Sequence, residues 1–332
     1  MNFKQILPLL VISLYSGSTL ASAVDDCILE GVKNAGDDSL LLPIKENCER
    51  LSNEEVEVPE RFIEESNTED NPFVITPHRQ NYILPISHMK DPNQEPYKQD
   101  VYPGIDEPMQ NAEAKLQLSL KVPLTYSKLL TENDAVYFGF TLKSFWQVYN
   151  DDISSPFRET NYRPEIFYEA SFPYQSWGGT ILTRFGFEHE SNGRSQLLSR
   201  SWNRIYAGVG FAKKDWAVYV QPWYRIGEEE KVDDGDPSTP PPPKGDDNPD
   251  IEDFLGNYEL FGVYSYKNVE FTGMTRYNFE EGNGAVEVGM SFPLWGRLKG
   301  YVQYFNGYGE SLIDYNYQVE RIGVGFLLTG IM

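Results

Sequence analysis

From Leu116 to Leu124 every second residue is apolar. Leu116, Leu118, Leu120, Val122 and Leu124 alternate with Gln117, Ser119, Lys121 and Pro123. Successive side chains of an extended chain point to opposite faces, so a period of two predicts a half-buried β-strand. The alternation returns at Val136, Phe138, Phe140 and Leu142, at Trp216, Val218, Val220 and Tyr224, and at Ile322, Val324, Phe326 and Leu328. Short turn-like breaks separate many of these runs, among them Lys213-Lys214-Asp215 and Glu281-Gly282-Asn283-Gly284. From Tyr82 onward the pattern predicts about a dozen strands, many near ten residues long, the length of a tilted strand that crosses a bilayer. Charged and small polar residues occupy the other face of several strands, as at Arg184, Glu188 and Glu190. Alternation alone equally fits a water-soluble sandwich whose apolar faces turn inward.

Composition and the N-terminus shift that balance. Aromatic residues make up 14 % of the 332 positions, with 22 Tyr, 19 Phe and 6 Trp, a supply suited to the interface girdles of a membrane barrel. Lys4, the apolar run from Ile6 to Leu14 and the small residues Ala21-Ser22-Ala23 form a secretory signal over residues 1–23. The apolar run is too short to span a bilayer, and no later segment has the roughly 18 consecutive apolar residues of a transmembrane helix. An all-β transmembrane barrel is the expected fold, preceded by an acidic N-terminal extension over residues 24–69. Cys27 and Cys48 both fall in that extension. In an oxidising compartment they can close a local loop worth roughly 3 kcal/mol, the alternative being two unpaired thiols. A balance of 28 basic against 50 acidic residues, net −22, excludes nucleic acid as a partner, because nothing would neutralise the phosphates.

Residues 227–250, GEEEKVDDGDPSTPPPPKGDDNPD, interrupt the strand pattern with an acidic, proline-rich stretch. Such a stretch reads as a long solvated loop, which outer membrane barrels keep on the extracellular side.

The candidate chemistry lies in FEHESNGRSQLLSRSWNRIY, residues 187–206, which holds one of the chain's three histidines. Period two puts Ile181, Thr183, Phe185 and Phe187 on one face, and His189 and Ser191 follow on it. In the next run Ile205, Ala207, Val209 and Phe211 share a face with Asn203, while Trp202, Arg204 and Tyr206 take the other. If the apolar faces meet lipid, three polar groups stand on the outer wall near its rim, where they cost free energy unless they pair. A serine, a histidine and an orienting amide are the parts of an acyl-transfer triad. The bland reading is a strand end meeting the interface, where polar residues are ordinary. There is no G-x-S-x-G elbow, His78 and His88 fall in a segment read as irregular, and a lone histidine without paired cysteines lacks the ligands of a zinc site.

The run HESNGRSQLLSRSWNRIY resembles the active-site segment of the outer membrane phospholipase A family. DNPFVITPHRQNYIL (70–84), SSPFRETNYRPEIFY (154–168), DDNPDI (246–251) and GYGESLIDYN (307–316) support the resemblance in the same order. It covers residues 70–332, the expected barrel domain. What it implies is a twelve-stranded antiparallel barrel in the outer membrane, with its active site on the outer surface toward the outer leaflet. His189 would be the general base, Ser191 the nucleophile and Asn203 the residue orienting the histidine, with the Gly193 N–H in the oxyanion hole. The family is calcium-dependent. Its Ca2+ ligands would correspond here to the carbonyl oxygens of Ser154 and Arg194 and the hydroxyl of Ser199, hard oxygen donors that suit the ion. The resemblance further implies a homodimer that completes the calcium site and the acyl-chain cleft. Its reaction is hydrolysis of sn-1 and sn-2 ester bonds of phospholipids and lysophospholipids.

Two departures stand out. Gln196 occupies a position where the family pattern leads one to expect an aspartate, which weakens a second, carboxylate-based calcium site that would include Asp247. The chain also finishes Gly330-Ile331-Met332 rather than on an aromatic residue. A catalytically silent barrel, acting as a small porin or structural protein, is the alternative from another class. Lumen-facing Arg184, Glu188 and Arg204 would suit it, but it has no use for a lipid-facing Ser-His-Asn set.

Overall fold

A computed structural model describes residues 61, 65, 74–97, 108–125, 129–131, 133–194, 198–229, 231 and 245–331. The chain divides into two units, Met1–Glu57 and Val58–Met332, and the described residues all belong to the second. The signal segment, Cys27, Cys48 and Gln196 lie outside the described residues.

The expected alternation becomes thirteen strands: β1 (Thr76–Pro77), β2 (Asn81–Met89), β3 (Ala112–Pro123), β4 (Asp134–Trp146), β5 (Glu159–Tyr174), β6 (Gly179–Ser191), β7 (Ser201–Lys213), β8 (Trp216–Ile226), β9 (Tyr258–Tyr266), β10 (Val269–Tyr277), β11 (Gly284–Trp295), β12 (Leu298–Gly307) and β13 (Val319–Thr329). Each strand from β2 to β13 pairs antiparallel with its chain neighbour, and β13 returns to pair with β2, closing a twelve-stranded barrel. The short β1 pairs with β3 at Thr76↔Lys121, in line with β2 on the same side of β3. Closure leaves none of the twelve barrel strands at a sheet edge, the condition for strands to lie in hydrocarbon. Among the described residues no helix is long and apolar enough to cross a membrane.

Of the two histidines expected in an irregular segment, only His78 lies outside a strand. His88 lies on β2, and His78 lies between β1 and β2 with its Nε2 2.8 Å from Glu165 Oε1 inside the barrel. A register shift between Leu84 and Ser87, around Pro85, breaks the simple alternation there, so a period-two reading does not carry through to His88.

Connections differ at the two ends. At one end β7 and β8 are joined by Lys214 and Asp215, β9 and β10 by Lys267 and Asn268, and β11 and β12 by Gly296 and Arg297. At the other end lie the long segments 90–111, 147–158, 192–200, 227–257 and 308–318. Short turns on one side and long loops on the other are the asymmetry of outer membrane barrels, whose long loops are extracellular. Phe185, Val209, Val218, Val288 and Val324 are exposed on the outward wall. Exposed aromatics ring both ends, with Trp177, Tyr266 and Trp295 at the short turns and Tyr149, Tyr277 and Phe279 at the loops, as amphipathic rings do at the two membrane interfaces.

The inward positions carry charge in matched pairs. Lys115 Nζ lies 2.9 Å from Glu310, Arg321 lies 2.7 Å from both Glu310 and Glu113, and Arg158 holds Glu113 at 2.9 Å and Asp314 at 3.0 Å. Arg163 lies 2.6 Å from Glu188, to which Arg204 also pairs. At the long-loop end Ile251 and Leu255 of α1 (Ile251–Leu255), with Leu312 and Tyr315, pack with Trp202 and Trp223 as an apolar cap. Tyr315 donates its hydroxyl to Asp250 at 2.6 Å, and burial together with that carboxylate holds its phenol above the usual range. Arg61 and Glu65 also meet the barrel. Arg61 Nη1 donates to the Gly330 carbonyl at 2.6 Å, and Glu65 lies 3.0 Å from Lys121.

Candidate active site

The site forms where β6 and β7 reach the long-loop end. Antiparallel pairing sets His189 directly opposite Asn203 and Ser191 opposite Ser201. Glu188 on β6 and Trp202 and Arg204 on β7 are buried toward the lumen, so their neighbours His189 and Asn203 face outward. Register therefore turns two residues fourteen apart in sequence into a cross-strand pair on the outer wall.

That pair is hydrogen-bonded. His189 Nδ1 lies 2.9 Å from Asn203 Oδ1, and because the amide oxygen only accepts, the ring donates through Nδ1–H. The lone pair on Nε2 is left free to accept a proton. Ser191 follows on the same outward face at the end of β6, across from Tyr162 of β5. Among the described residues no hydrogen bond joins its hydroxyl to the imidazole. The other end of the Asn203 amide is also engaged, since Nδ2 donates to Glu228 Oε1 at 2.8 Å.

The loop after β6 is organised by Asn192, a buried residue absent from the sequence-based candidates. Its Oδ1 accepts from the backbone N–H of Arg194 at 3.2 Å and of Arg200 at 3.0 Å, and its Nδ2 donates to the Leu198 carbonyl at 2.7 Å. These bonds fold the chain around Gly193, whose φ of +62° lies in the left-handed region and where a Cβ would approach Tyr162 to 3.2 Å. Glycine alone fits both requirements. The Gly193 N–H has no acceptor among the described residues, as an oxyanion donor requires.

Of the expected calcium ligands, Arg194 and Ser199 lie in the segment 192–200 and Ser154 in the segment 147–158. Arg194 Nη2 donates to the carbonyls of Phe157 at 2.7 Å and Arg158 at 2.8 Å, tying this loop to the segment that begins at Ser154. The Ser154 carbonyl accepts from the Trp146 indole at 2.7 Å and keeps its second lone pair. Ser199 donates its hydroxyl to Asp247 Oδ2 at 2.6 Å, and Lys231 pairs with the other carboxylate oxygen. The Ser199 hydroxyl beside a carboxylate, and the backbone carbonyls of Arg194 and Ser154, are hard oxygen donors of the kind that suits Ca2+. Among the described residues there is no cluster of three or more His, Cys, Asp or Glu.

Asn248 brings Asp247 to this place. Its Oδ1 accepts from the Ser201 N–H at 3.1 Å, while Arg225 grips Asp246 through two contacts of 2.7 Å. The polar motif at 246–251 that stood out in the sequence is thus a staple between the long loop and the start of β7.

Known proteins match over the same region. The Phospholipase A1 family model covers residues 58–328. The phospholipase A1 of Klebsiella pneumoniae is 38 % identical over 263 residues, which span 79 % of this chain and 85 % of that protein. That of Escherichia coli K12 is 37 % identical over 263 residues, spanning 79 % and 84 %. Among solved structures, outer membrane phospholipase A from Escherichia coli superposes with a TM-score of 0.69 at 36 % identity, over 78 % of this chain and all of that one. Another structure of that enzyme is an active-site mutant in which an asparagine is replaced by alanine. The Salmonella typhi outer membrane phospholipase, a dimer with bound calcium, also gives a TM-score of 0.69, at 38 % identity over 80 % of this chain and 95 % of that one. With family model, relatives and fold in agreement along the whole barrel, the chain belongs to the phospholipase A1 family, the phospholipases built as multi-pass β-barrels of the outer membrane.

Proposed function

We propose that this phospholipase is calcium-dependent, acts as a homodimer, and hydrolyses sn-1 and sn-2 acyl esters of phospholipids and lysophospholipids through Ser191, His189 and Asn203. The observation that carries the reading is the outward-facing hydrogen bond of 2.9 Å between His189 Nδ1 and Asn203 Oδ1. It holds the imidazole in the tautomer whose Nε2 can take the Ser191 proton. Ser191 Oγ then attacks the ester carbonyl, and the Gly193 N–H receives the developing oxyanion. His189 returns the proton to the leaving alkoxide, releasing the lysophospholipid. Water, activated by the same nitrogen, frees the fatty acid from Ser191. The outward position at the long-loop end meets its substrate among lipids of the outer leaflet.

The ligands for Ca2+ would be the carbonyls of Ser154 and Arg194 and the Ser199 hydroxyl, with Asp247 one hydrogen bond away from Ser199. When bound, the ion supplies Lewis-acid stabilisation of negative charge. A related phospholipase from Salmonella typhi is a dimer with bound calcium, which supports both parts of the proposal. Residues 1–23 as a cleaved signal and 24–69 as an extension with a Cys27–Cys48 bridge complete it.

The test is fatty acid release from phospholipid by refolded mature protein in detergent, with wild type and Ser191→Ala compared in calcium and in chelator. Release that needs both Ser191 and calcium, from protein that cross-links as a dimer, is the expected result. Undiminished release by Ser191→Ala would remove the triad, and undiminished release in chelator would remove the calcium requirement.

A further inference from the structure

Asn203 is held from both sides, by His189 through Oδ1 and by Glu228 through Nδ2, at 2.9 and 2.8 Å. The sheet delivers the second contact. Asn203 pairs with Ile226 at the end of β8, and Glu228 stands two residues further, where the acidic loop begins. We propose that Glu228 is a positioning residue of the active site, which orients the Asn203 amide so that its oxygen, and not its nitrogen, faces His189. The inference rests on the Ser191–His189–Asn203 reading above.

The physical reason lies in the symmetry of the amide. Its C=O and NH2 ends are nearly equal in size, so packing alone barely chooses between the two orientations. Rotated by half a turn, the amide would present N–H to Nδ1. The ring would then accept at Nδ1 and carry its proton on Nε2, the tautomer that cannot receive a proton from Ser191. An aspartate as third member avoids this problem because both of its oxygens accept. An asparagine needs an external group that distinguishes its ends. A carboxylate at neutral pH accepts and never donates. Glu228 therefore bonds the NH2 end and would meet the oxygen end with repulsion. The sequence of donors runs one way, from His189 to Asn203 and from Asn203 to Glu228, and it leaves Nε2 free.

The experiment compares Glu228→Ala, Glu228→Gln and Glu228→Asp, each with and without Asn203→Ala. It uses full mature protein in mixed micelles of diacyl phospholipid at saturating calcium, with folding checked by heat-modifiable gel mobility. Expected are a loss of about tenfold in kcat for Glu228→Ala and a KM within about twofold of wild type. Glu228→Gln keeps the shape but can bond either end of the amide, so it is nearly as impaired as Glu228→Ala. Glu228→Asp, still acceptor-only, retains more activity than Glu228→Gln. With Asn203→Ala present, none of the three lowers kcat further. Wild-type kcat in Glu228→Gln overturns the proposal, because a merely structural contact is rescued by the isostere. An equal loss on the Asn203→Ala background also overturns it, since Glu228 would then act by another route. The two readings fail separately. An active Ser191→Ala rejects the triad, whereas an inactive Ser191→Ala beside an unimpaired Glu228→Ala rejects this proposal alone.

Discussion

At Asn203 the backbone does most of the positioning. The β6–β7 register brings its Cα opposite that of His189, and the side chains then need only one rotamer each to meet. Removing the amide leaves the ring free to change tautomer and to swing toward lipid. Asn203→Ala is expected to lower kcat by about one to two orders of magnitude, with unchanged gel mobility of the folded barrel. A variant within twofold of wild type would take Asn203 out of the proposed triad. Ser199 presents a different case, because its hydroxyl already hydrogen-bonds Asp247. Ser199→Ala removes one proposed ligand and keeps the carboxylate, so the half-saturating calcium concentration should rise about tenfold or more while activity at saturating calcium largely recovers. An unmoved calcium titration would exclude Ser199 from the ion's ligands.

Strands and loops divide the labour at the next scale. β6 and β7 alternate, so the residues that share each face follow from period two. The loop between them has no period, and among its described residues one side chain makes three bonds to its backbone. Asn192 satisfies two backbone N–H groups and one carbonyl of the turn that carries Gly193, Arg194 and Ser199. Leaving such groups unpaired costs about 1–3 kcal/mol each. Asn192→Ala should therefore reduce kcat at least tenfold and weaken calcium activation together, because the proposed oxyanion donor and two proposed calcium ligands hang on the same turn. Loss of activity without any change in the calcium titration would contradict that coupling. In the sequence Asn192 looked like one more polar residue in a loop, since a hydrogen-bond hub has no pattern of its own. The place of His88 on β2 was missed for a related reason, the register shift at Pro85.

Across the whole molecule the barrel is filled by ion pairs. Glu113 is fully buried and holds Arg158 and Arg321 from one strand. Glu113→Ala would leave two buried guanidinium groups short of a partner, a loss of roughly 3–5 kcal/mol. It should lower the urea midpoint of the refolded barrel in detergent. A midpoint equal to wild type would mean that Glu310 and Asp314 suffice to neutralise both arginines. The motif GYGESLIDYN belongs to this network: Glu310 pairs with Lys115 and Arg321, Asp314 with Arg158, and Tyr315 closes on Asp250. Its role is to staple a loop into the lumen.

Local alternation by itself determined the all-β class and that His189 and Ser191 share one strand face and Asn203 the apolar face of the next run; strand length, aromatic content and the signal segment were needed to turn those faces toward lipid. Period two is a property of the extended backbone and survives without knowledge of any partner strand. Tertiary structure alone decided the rest. Register set His189 opposite Asn203, the end of β8 brought Glu228 to the same amide, and Asn248 drew Asp247 beside Ser199. These contacts join residues 14 to 48 positions apart across irregular loops, and no local periodicity encodes which loop residue arrives at which strand.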